Sequence, residues 1–573
     1  MTDWWEGFWS TYNTVVFSIG VNAMLALSIY ITLSCGLLSL ANAAFMGLGA
    51  YTASLISMHT GWPFGIALAA GGVLPALVAL IIGIPTLRLS GVYLAMATLG
   101  FGEMVRVIIL NLDFTGGPMG INGIPLKTEF WHIALLLGAT LYLLARLRRS
   151  KIGRAFEAIK EDEVAARLMG IDVRFYKLMA FVIGAVIAGV AGGLNAHYTF
   201  TVGPGNYAFE NAVDILTMAV FGGTSNLIGP TIGATILTLL PEVLRNFKDF
   251  RLAVNGLILV LVILYLPKGI WDPRRIRGFW QRRTAGRPVV ENSVEPMGSG
   301  RGLPPASGDQ PGGGKAGRQM IMLKFEQISK RFGGLHVLQD VALNVPEGGI
   351  FGLIGPNGAG KTTVFNLTTG LLRPTAGRIT FAGHDLSKVA PHRITELGIA
   401  RTFQNIRVFK EMTLLENVII GMHEHLGYGF TGLLLNRPAF RAAEAGARVR
   451  AMELLSWFRL ENKADQLAES LSYGEQRKLE FARALATRPK LLLLDEPVAG
   501  MNPAEKTELM AEILNIQQRG FSIFMIEHDM RFVMGLCDRI AVLNFGRIIA
   551  EGTPDAIKNN PQVIEAYLGK EDE

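Results

Sequence analysis

The chain has 573 residues, half of them hydrophobic and only 18% charged, where soluble domains carry about 25% charge. That length argues for several domains, and the low charge excludes a chain built only from soluble ones. The basic residues behind the net charge of +7 cluster beside apolar runs, so they offer no argument for nucleic acid binding. The average hides a division: long apolar runs almost free of charge fill the first half, and charge returns in the second. Cys35 and Cys537 match no metal spacing and no disulfide framework, so both are expected as packing residues.

Residues 1–280 are predicted to be a polytopic all-α membrane domain. Residues 13–58 are nearly uncharged and long enough for two crossings, since one spanning helix needs about 20 apolar residues. Further apolar runs lie near 64–84, 89–110, 131–147, 178–197, 211–222, 227–241 and 252–267. Together they predict about 8–10 spans or half-spans. The start, MTDWWEGFWSTYN, has no basic residue before the apolar run and so lacks the charged head of a cleavable signal peptide. Trp4, Trp5 and Trp9 suit an interfacial belt.

Lys and Arg in short loops set the orientation. The stretch 145–177 and the exit PKGIWDPRRIRGFWQRR are the basic ones, so both are expected in the cytoplasm. An even number of crossings must then separate them. Residues 211–241 are broken in the middle by GGTSNLIGP, which predicts two short crossings or a re-entrant pair. Such breaks often line transport pathways, although a plain loop between ordinary helices gives the same pattern. Asp214, with Glu210 just outside, is the clearest charge within a span. A group at that depth is a candidate for function, but it can also face a water-filled gap or cap a helix end.

The basic loop carries GRAFEAIKEDEVAARLMGID, whose apolar Phe156, Ile159, Val164, Leu168 and Met169 among charges predict one amphipathic helix stopping at Gly170. It is too polar to span. As pattern alone, a solvated surface helix and a docking helix fit it equally. Residues 281–320 then form a linker rich in Gly and Pro, unable to build a core. A flexible segment of about forty residues has a reach on the order of 35 Å.

Residues 321–573 alternate strands and helices, as in an α/β domain. An apolar strand at 350–354 runs into GPNGAGKTT and a helix, the strand–loop–helix context of a phosphate-binding loop. Gly355, Pro356, Asn357, Gly358, Ala359, Gly360, Lys361, Thr362 and Thr363 would surround phosphate oxygens. Lys361 would reach the β and γ phosphates of a nucleotide, and Thr362 would hold Mg²⁺. In KLLLLDEP, Asp495 ends a buried strand as a second Mg²⁺ candidate, and Glu496 is placed to act as general base. FSIFMIEHDM ends another strand with His528, near the γ phosphate. Gln404 lies between these elements and takes its weight from the set, as a group for Mg²⁺ and catalysis. LSYGEQ opens a long helix with Ser472, Gly474, Glu475 and Gln476, a second phosphate site. One nucleotide hardly needs two such sites from one domain, so two nucleotide domains facing each other are expected.

GPNGAGKTT, Gln404, LSYGEQ, LLLLDEP and His528, in this order, resemble an ABC transporter ATPase over residues 321–573. The resemblance implies an α/β P-loop domain with a helical subdomain, and makes Phe332 the aromatic that stacks on adenine. Tyr473 and Glu475 depart from the common LSGGQ signature, and Asn502 stands where many relatives carry Asp. LSYGEQ and the ending EGTPDAIKNNPQVIEAYLG resemble the subgroup serving branched-chain amino acid importers. RLSGVYLAMATLGFGEMVR, TGGPMGINGIP and the basic loop resemble the permease subunit of the same importers. That likeness implies a coupling helix at about 155–170.

It further implies a fused permease–ATPase half-transporter in the bacterial cytoplasmic membrane, importing branched-chain or related amino acids. A second permease and a second ATPase, or a second copy of the chain, would complete it, and an extracytoplasmic solute-binding protein would deliver the solute. Urea, amides and other small solutes are alternative cargoes. An exporter, an ATP-gated channel and a regulatory membrane ATPase are the remaining readings.

Overall fold

A computed structural model describes residues 2–243, isolated positions between 256 and 270, and residues 320–568. Most of the run 252–267, the basic exit after it and the linker up to residue 319 lie outside the described residues, as do the side chains of Trp4, Trp5 and Trp9. The chain divides into two compact units: Met1–Lys160 with Val173–Val294, and Glu161–Asp172 with Glu295–Glu573.

The first unit is helical: α1 (Thr2–Ser34), α2 (Asn42–His59), α3 (Phe64–Thr86), α4 (Val92–Asn111), α5 (Phe130–Arg148), α6 (Lys151–Glu161), α8 (Val173–Thr199), α9 (Phe209–Gly222) and α10 (Ile228–Val243); the short α7 (Glu163–Leu168), between α6 and α8 in sequence, belongs to the second unit. Among the described residues five stretches are long and apolar enough to cross a membrane: Tyr12–Ser34, α3, α4, α5 and α8. Small residues let α2 and α8 approach closely, as expected of helices that associate in lipid by packing alone. Gly49 faces the Gly189 backbone so directly that a Cβ there would overlap it. Two-residue strands β1 (Ile121–Asn122) and β2 (Thr201–Val202) pair antiparallel across the loops after α4 and α8.

The break expected within 211–241 separates α9 from α10. Gly223, at φ +103°, ends α9. Arg148 at the end of α5 holds the turn, donating to Asn226 Oδ1 and to the Ser225 carbonyl, both at 2.8 Å. The turn therefore lies on the same side of the unit as the basic loop. Asp214 is exposed on α9, one turn beyond Glu210.

The amphipathic helix expected to end at Gly170 is instead two helices. The Asp162 side chain accepts from Val164 N and Ala165 N and starts α7, because Asp competes for backbone donors and favours caps over helix interiors. Phe156 and Ile159 are buried in the first unit, whereas Leu168 and Met169 are buried in the second.

The second unit holds two sheets. One has the order β12-β11-β5-β10-β9-β8, with β5 (Ile350–Ile354), β8 (Ile399–Arg401), β9 (Leu491–Asp495), β10 (Ser522–Ile526), β11 (Arg539–Asn544) and β12 (Arg547–Gly552). All neighbours are parallel except β11 and β12. The other is antiparallel, β4-β3-β6-β7, with β3 (Ile321–Phe332), β4 (Leu335–Pro346), β6 (Ala376–Phe381) and β7 (His384–Asp385). β5, β9 and β10 are buried at every position, so their apolar runs lack alternation, as in a parallel sheet covered on both faces. Phe365 and Phe524 pack edge to face, 5.0 Å between centroids, locking the helix Lys361–Thr368 onto the sheet.

Candidate active site

The parallel strands β5, β9 and β10 deliver their C-terminal ends side by side, where open α/β sheets bind ligands. β5 runs into residues 355–360, and the helix Lys361–Thr368 starts at once. Gly355, Gly358 and Gly360 have φ of +151°, +83° and +107°, conformations that suit glycine. Asn357, Gly358 and Thr362 are exposed, while Lys361 is buried. Its ammonium donates to the carbonyls of Gly355 and Pro356 at 2.7 and 3.0 Å. Burial pushes its pKa down, and Glu496 and Asp495 pull against that shift.

Gln404 Nε2 donates to Glu496 Oε2 at 2.9 Å, and His528 Nδ1 lies 3.6 Å from the same oxygen. Two groups far apart in sequence thus meet at the Glu496 carboxylate. Glu496 has φ +46°, in the left-handed region. Its N–H donates to the Ile526 carbonyl at 2.9 Å, which holds the chain there. Strained backbone of this kind clusters at functional sites.

Asp495, at the end of β9, is almost fully buried and bonds Arg401 through Oδ2 at 2.6 Å. Among the described residues its Oδ1 is buried with no hydrogen-bond partner. A carboxylate oxygen in that condition, together with the exposed Thr362 hydroxyl and the Gln404 amide, is a set of hard donors that suits Mg²⁺.

Ser472 caps the helix Tyr473–Ala486, accepting from Glu475 N while Glu475 accepts from Ser472 N. Glu475 thereby completes a capping box that glutamine can also form, and Lys463 holds it at 2.5 Å, which pulls its pKa down. Gly474 has open space around it. Among the described residues no hydrogen bond joins Ser472 or Gln476 to residues 355–363 of the same chain. Asn502 caps the helix Pro503–Gln518 by accepting from Glu505 N at 2.9 Å, a role in which Asn equals Asp. Phe332 is half-exposed at the end of β3, with Lys330 Nζ 4.9 Å from its ring centre. Pro356 and Ala359 belong to the loop and Thr363 to the first helical turn.

Two supporting residues escape a motif search. Arg401 binds Asp495 and also donates to Asn366 Oδ1 at 2.7 Å. Burial lowers its pKa, with Asp495 opposing. Glu527 is fully buried, and its carboxylate accepts from Val498 N, His528 N and Asp529 N. Burial raises its pKa against those three donors. It ties the loop after β9 to the His528 turn. A charge closing a short apolar strand, and an acid between an apolar strand and His528, were the available signs.

Residues 161–172 pack within the second unit. Arg407 Nη1 pairs with Asp162 at 2.8 Å, Glu411 N donates to Glu161 Oε1 at 3.0 Å, and Thr395 donates to the Leu168 carbonyl at 3.1 Å.

A family model described as branched-chain amino acid transport system / permease component matches residues 12–266. The ABC transporter model matches 338–499, and the branched-chain amino acid ATP-binding cassette transporter model matches 547–573. The high-affinity branched-chain amino acid transport ATP-binding protein BraF of Pseudomonas aeruginosa is 45% identical over 250 residues, 44% of this chain and 98% of its own length. The corresponding protein LivG of Salmonella typhimurium is 46% identical over 252 residues, with the same shares covered. A solved nucleotide-free ATP-binding cassette from an ABC transporter is 34% identical, spans 44% of this chain and 100% of its own, and gives a TM-score of 0.38. On the family models and the curated relatives the chain belongs to the branched-chain amino acid ABC transporter family, with a permease half and an ATPase half that couples ATP hydrolysis to transport.

Proposed function

We propose that the chain imports branched-chain or closely related amino acids across the bacterial cytoplasmic membrane, as a fused half-transporter. The observation that carries this reading is a permease match and an ATPase match on one chain, both carrying the branched-chain amino acid description. A second permease and ATPase, or a second copy of the chain, complete the assembly. An extracytoplasmic solute-binding protein delivers the amino acid.

Two ATPase units close around two ATP molecules, because Ser472 and Gly474 offer a second phosphate site, and among the described residues Ser472 makes no hydrogen bond to the phosphate loop of its own chain. ATP shifts the equilibrium only in so far as it binds the closed pair better than the open one. Lys361, Thr362, Thr363 and the backbone of residues 355–360 hold the phosphates, and Phe332 stacks on adenine. Glu496 orients the attacking water and accepts its proton, with Gln404 and His528 fixing the carboxylate. Thr362, Gln404 and Asp495 would hold Mg²⁺, which neutralises charge developing on the phosphates. Residues 161–172 dock on the ATPase and carry its motion to the permease; Asp162–Arg407 and Leu168–Thr395 support that role. The linker 281–320 keeps the two halves at high local concentration.

The test is uptake into vesicles holding the chain, its partner subunits and the binding protein. ATP-driven accumulation of leucine, isoleucine or valine is expected. Accumulation of urea or amides instead would overturn the substrate, and efflux would overturn import.

A further inference from the structure

We propose that the buried ion pair Arg477–Glu480 is a positioning clamp for Gln404, and through it for Glu496; this rests on the reading of Gln404 and Glu496 as a hydrolytic pair.

Both side chains are 1% exposed and meet at 2.9 Å. They sit on the helix Tyr473–Ala486, one turn apart. Their remaining bonds go to the irregular loop after β8. Arg477 Nη1 donates to the Phe403 carbonyl at 2.7 Å, and Nη2 donates to the Gln404 carbonyl at 3.1 Å. Glu480 Oε1 accepts from Phe403 N at 3.3 Å and Arg407 N at 3.4 Å. Four backbone groups across residues 403–407 are thereby fixed by one ion pair.

The Gln404 side chain itself is exposed. It reaches Glu496 only because its backbone is held beneath it. A buried ion pair is a poor device for stability alone, since apolar residues of similar volume often serve as well. Here the planar fork of arginine spans two successive carbonyls, a geometry that lysine does not reproduce. The clamp has a second branch. Tyr473 Oη donates to the Ala499 carbonyl at 3.2 Å, and Arg477 Nη2 lies 3.5 Å from that hydroxyl. One guanidinium thus touches the loop carrying Gln404 and the tyrosine that holds the loop after Glu496. Arg407, whose N–H the clamp fixes, is the residue that pairs with Asp162.

The experiment compares the full-length chain with Arg477→Met, Arg477→Lys and Glu480→Gln, each assayed for ATP hydrolysis per nucleotide-binding molecule. A displaced Gln404 predicts kcat down by about tenfold to a hundredfold, KM for ATP changed less than about twofold, and partial recovery in Arg477→Lys. Counting only molecules that bind a fluorescent ATP analogue removes losses due to unfolding. If kcat per binding molecule in Arg477→Met stays within about twofold of the parent, the clamp is only structural and the inference fails. Glu496→Gln runs alongside. If it hydrolyses ATP normally, the reading of the pair fails and the inference with it. If it is inert while Arg477→Met is fully active, only the inference is overturned.

Discussion

Arg401 Nη2 stands 2.6 Å from Asp495 Oδ2, with the two side chains 4% and 2% exposed. One is at the end of β8 and the other at the end of β9, so parallel pairing of these strands brings opposite charges together inside the domain. Removing either partner leaves an uncompensated buried charge.

Arg401→Met is therefore expected to destabilise the ATPase unit by about 3–5 kcal/mol. For a unit of this size that corresponds to a lower unfolding midpoint on the order of 10 °C. Replacing both residues with apolar ones should restore much of the stability but no Mg²⁺-dependent hydrolysis. Calorimetry with and without MgATP separates the two effects. An unchanged midpoint in the single variant would remove the ion pair from the account.

Glu496→Gln keeps the side-chain volume and the same left-handed backbone, at φ +46°. Folding and ATP binding should be unaffected. Hydrolysis should fall by roughly 10²–10⁴-fold, the contribution typical of a general base. Single-turnover assays on ATP-loaded protein check this, and normal turnover would contradict the role of base.

Gly170 has φ +85°, and a Cβ there would lie 2.8 Å from Glu424 Cγ. Left-handed backbone costs a non-glycine residue about 1–2 kcal/mol, and the contact adds to it. Gly170→Ala should displace residues 161–172 while ATP still binds. The expected result is less amino acid accumulated per ATP hydrolysed. Unchanged accumulation would argue against docking at this segment.

Asp162→Ala tests the same segment by another route. It removes the cap of α7, worth about 1 kcal/mol, and the pair with Arg407. That pair is partly exposed, so its own energy is small. Coupling should fall more than stability. Thermal unfolding and uptake measured on one preparation separate the two.

Cys537 is buried, and burial pushes its thiol pKa up to about 12. At pH 8 only about one molecule in 10⁴ carries the reactive thiolate, against roughly a quarter for a free cysteine. Alkylation of its peptide, followed by mass spectrometry, should be slow in the native protein and rapid in denaturant. Fast native labelling would mean that the packing against Gly352 opens readily.

The sequence revealed residues whose chemistry is confined to a short local pattern. The phosphate loop is legible because strand, glycines, Lys361 and helix follow one another without interruption. The division into an apolar half and a charged half is legible because a membrane-spanning helix needs long apolar runs. Asp495, Glu496 and His528 could be named because each lies at, or one or two residues beyond, the end of an apolar strand. The single amphipathic helix did not survive, because the cap made by Asp162 depends on local hydrogen bonds that apolar periodicity does not report.

By itself, then, the sequence determined which groups are candidates for the chemistry, since each is written into a contiguous stretch of chain. Which strands lie side by side, and hence which residues support that chemistry, was decided by tertiary structure. Arg401 reaches Asp495 because β8 pairs with β9, and Glu527 braces His528 and Val498 because β10 lies beside β9. Arg477 holds Gln404 across 73 residues. Such partners are fixed by crossovers and burial, and in a desolvated interior an unpaired charge or backbone group is too costly to leave unmatched.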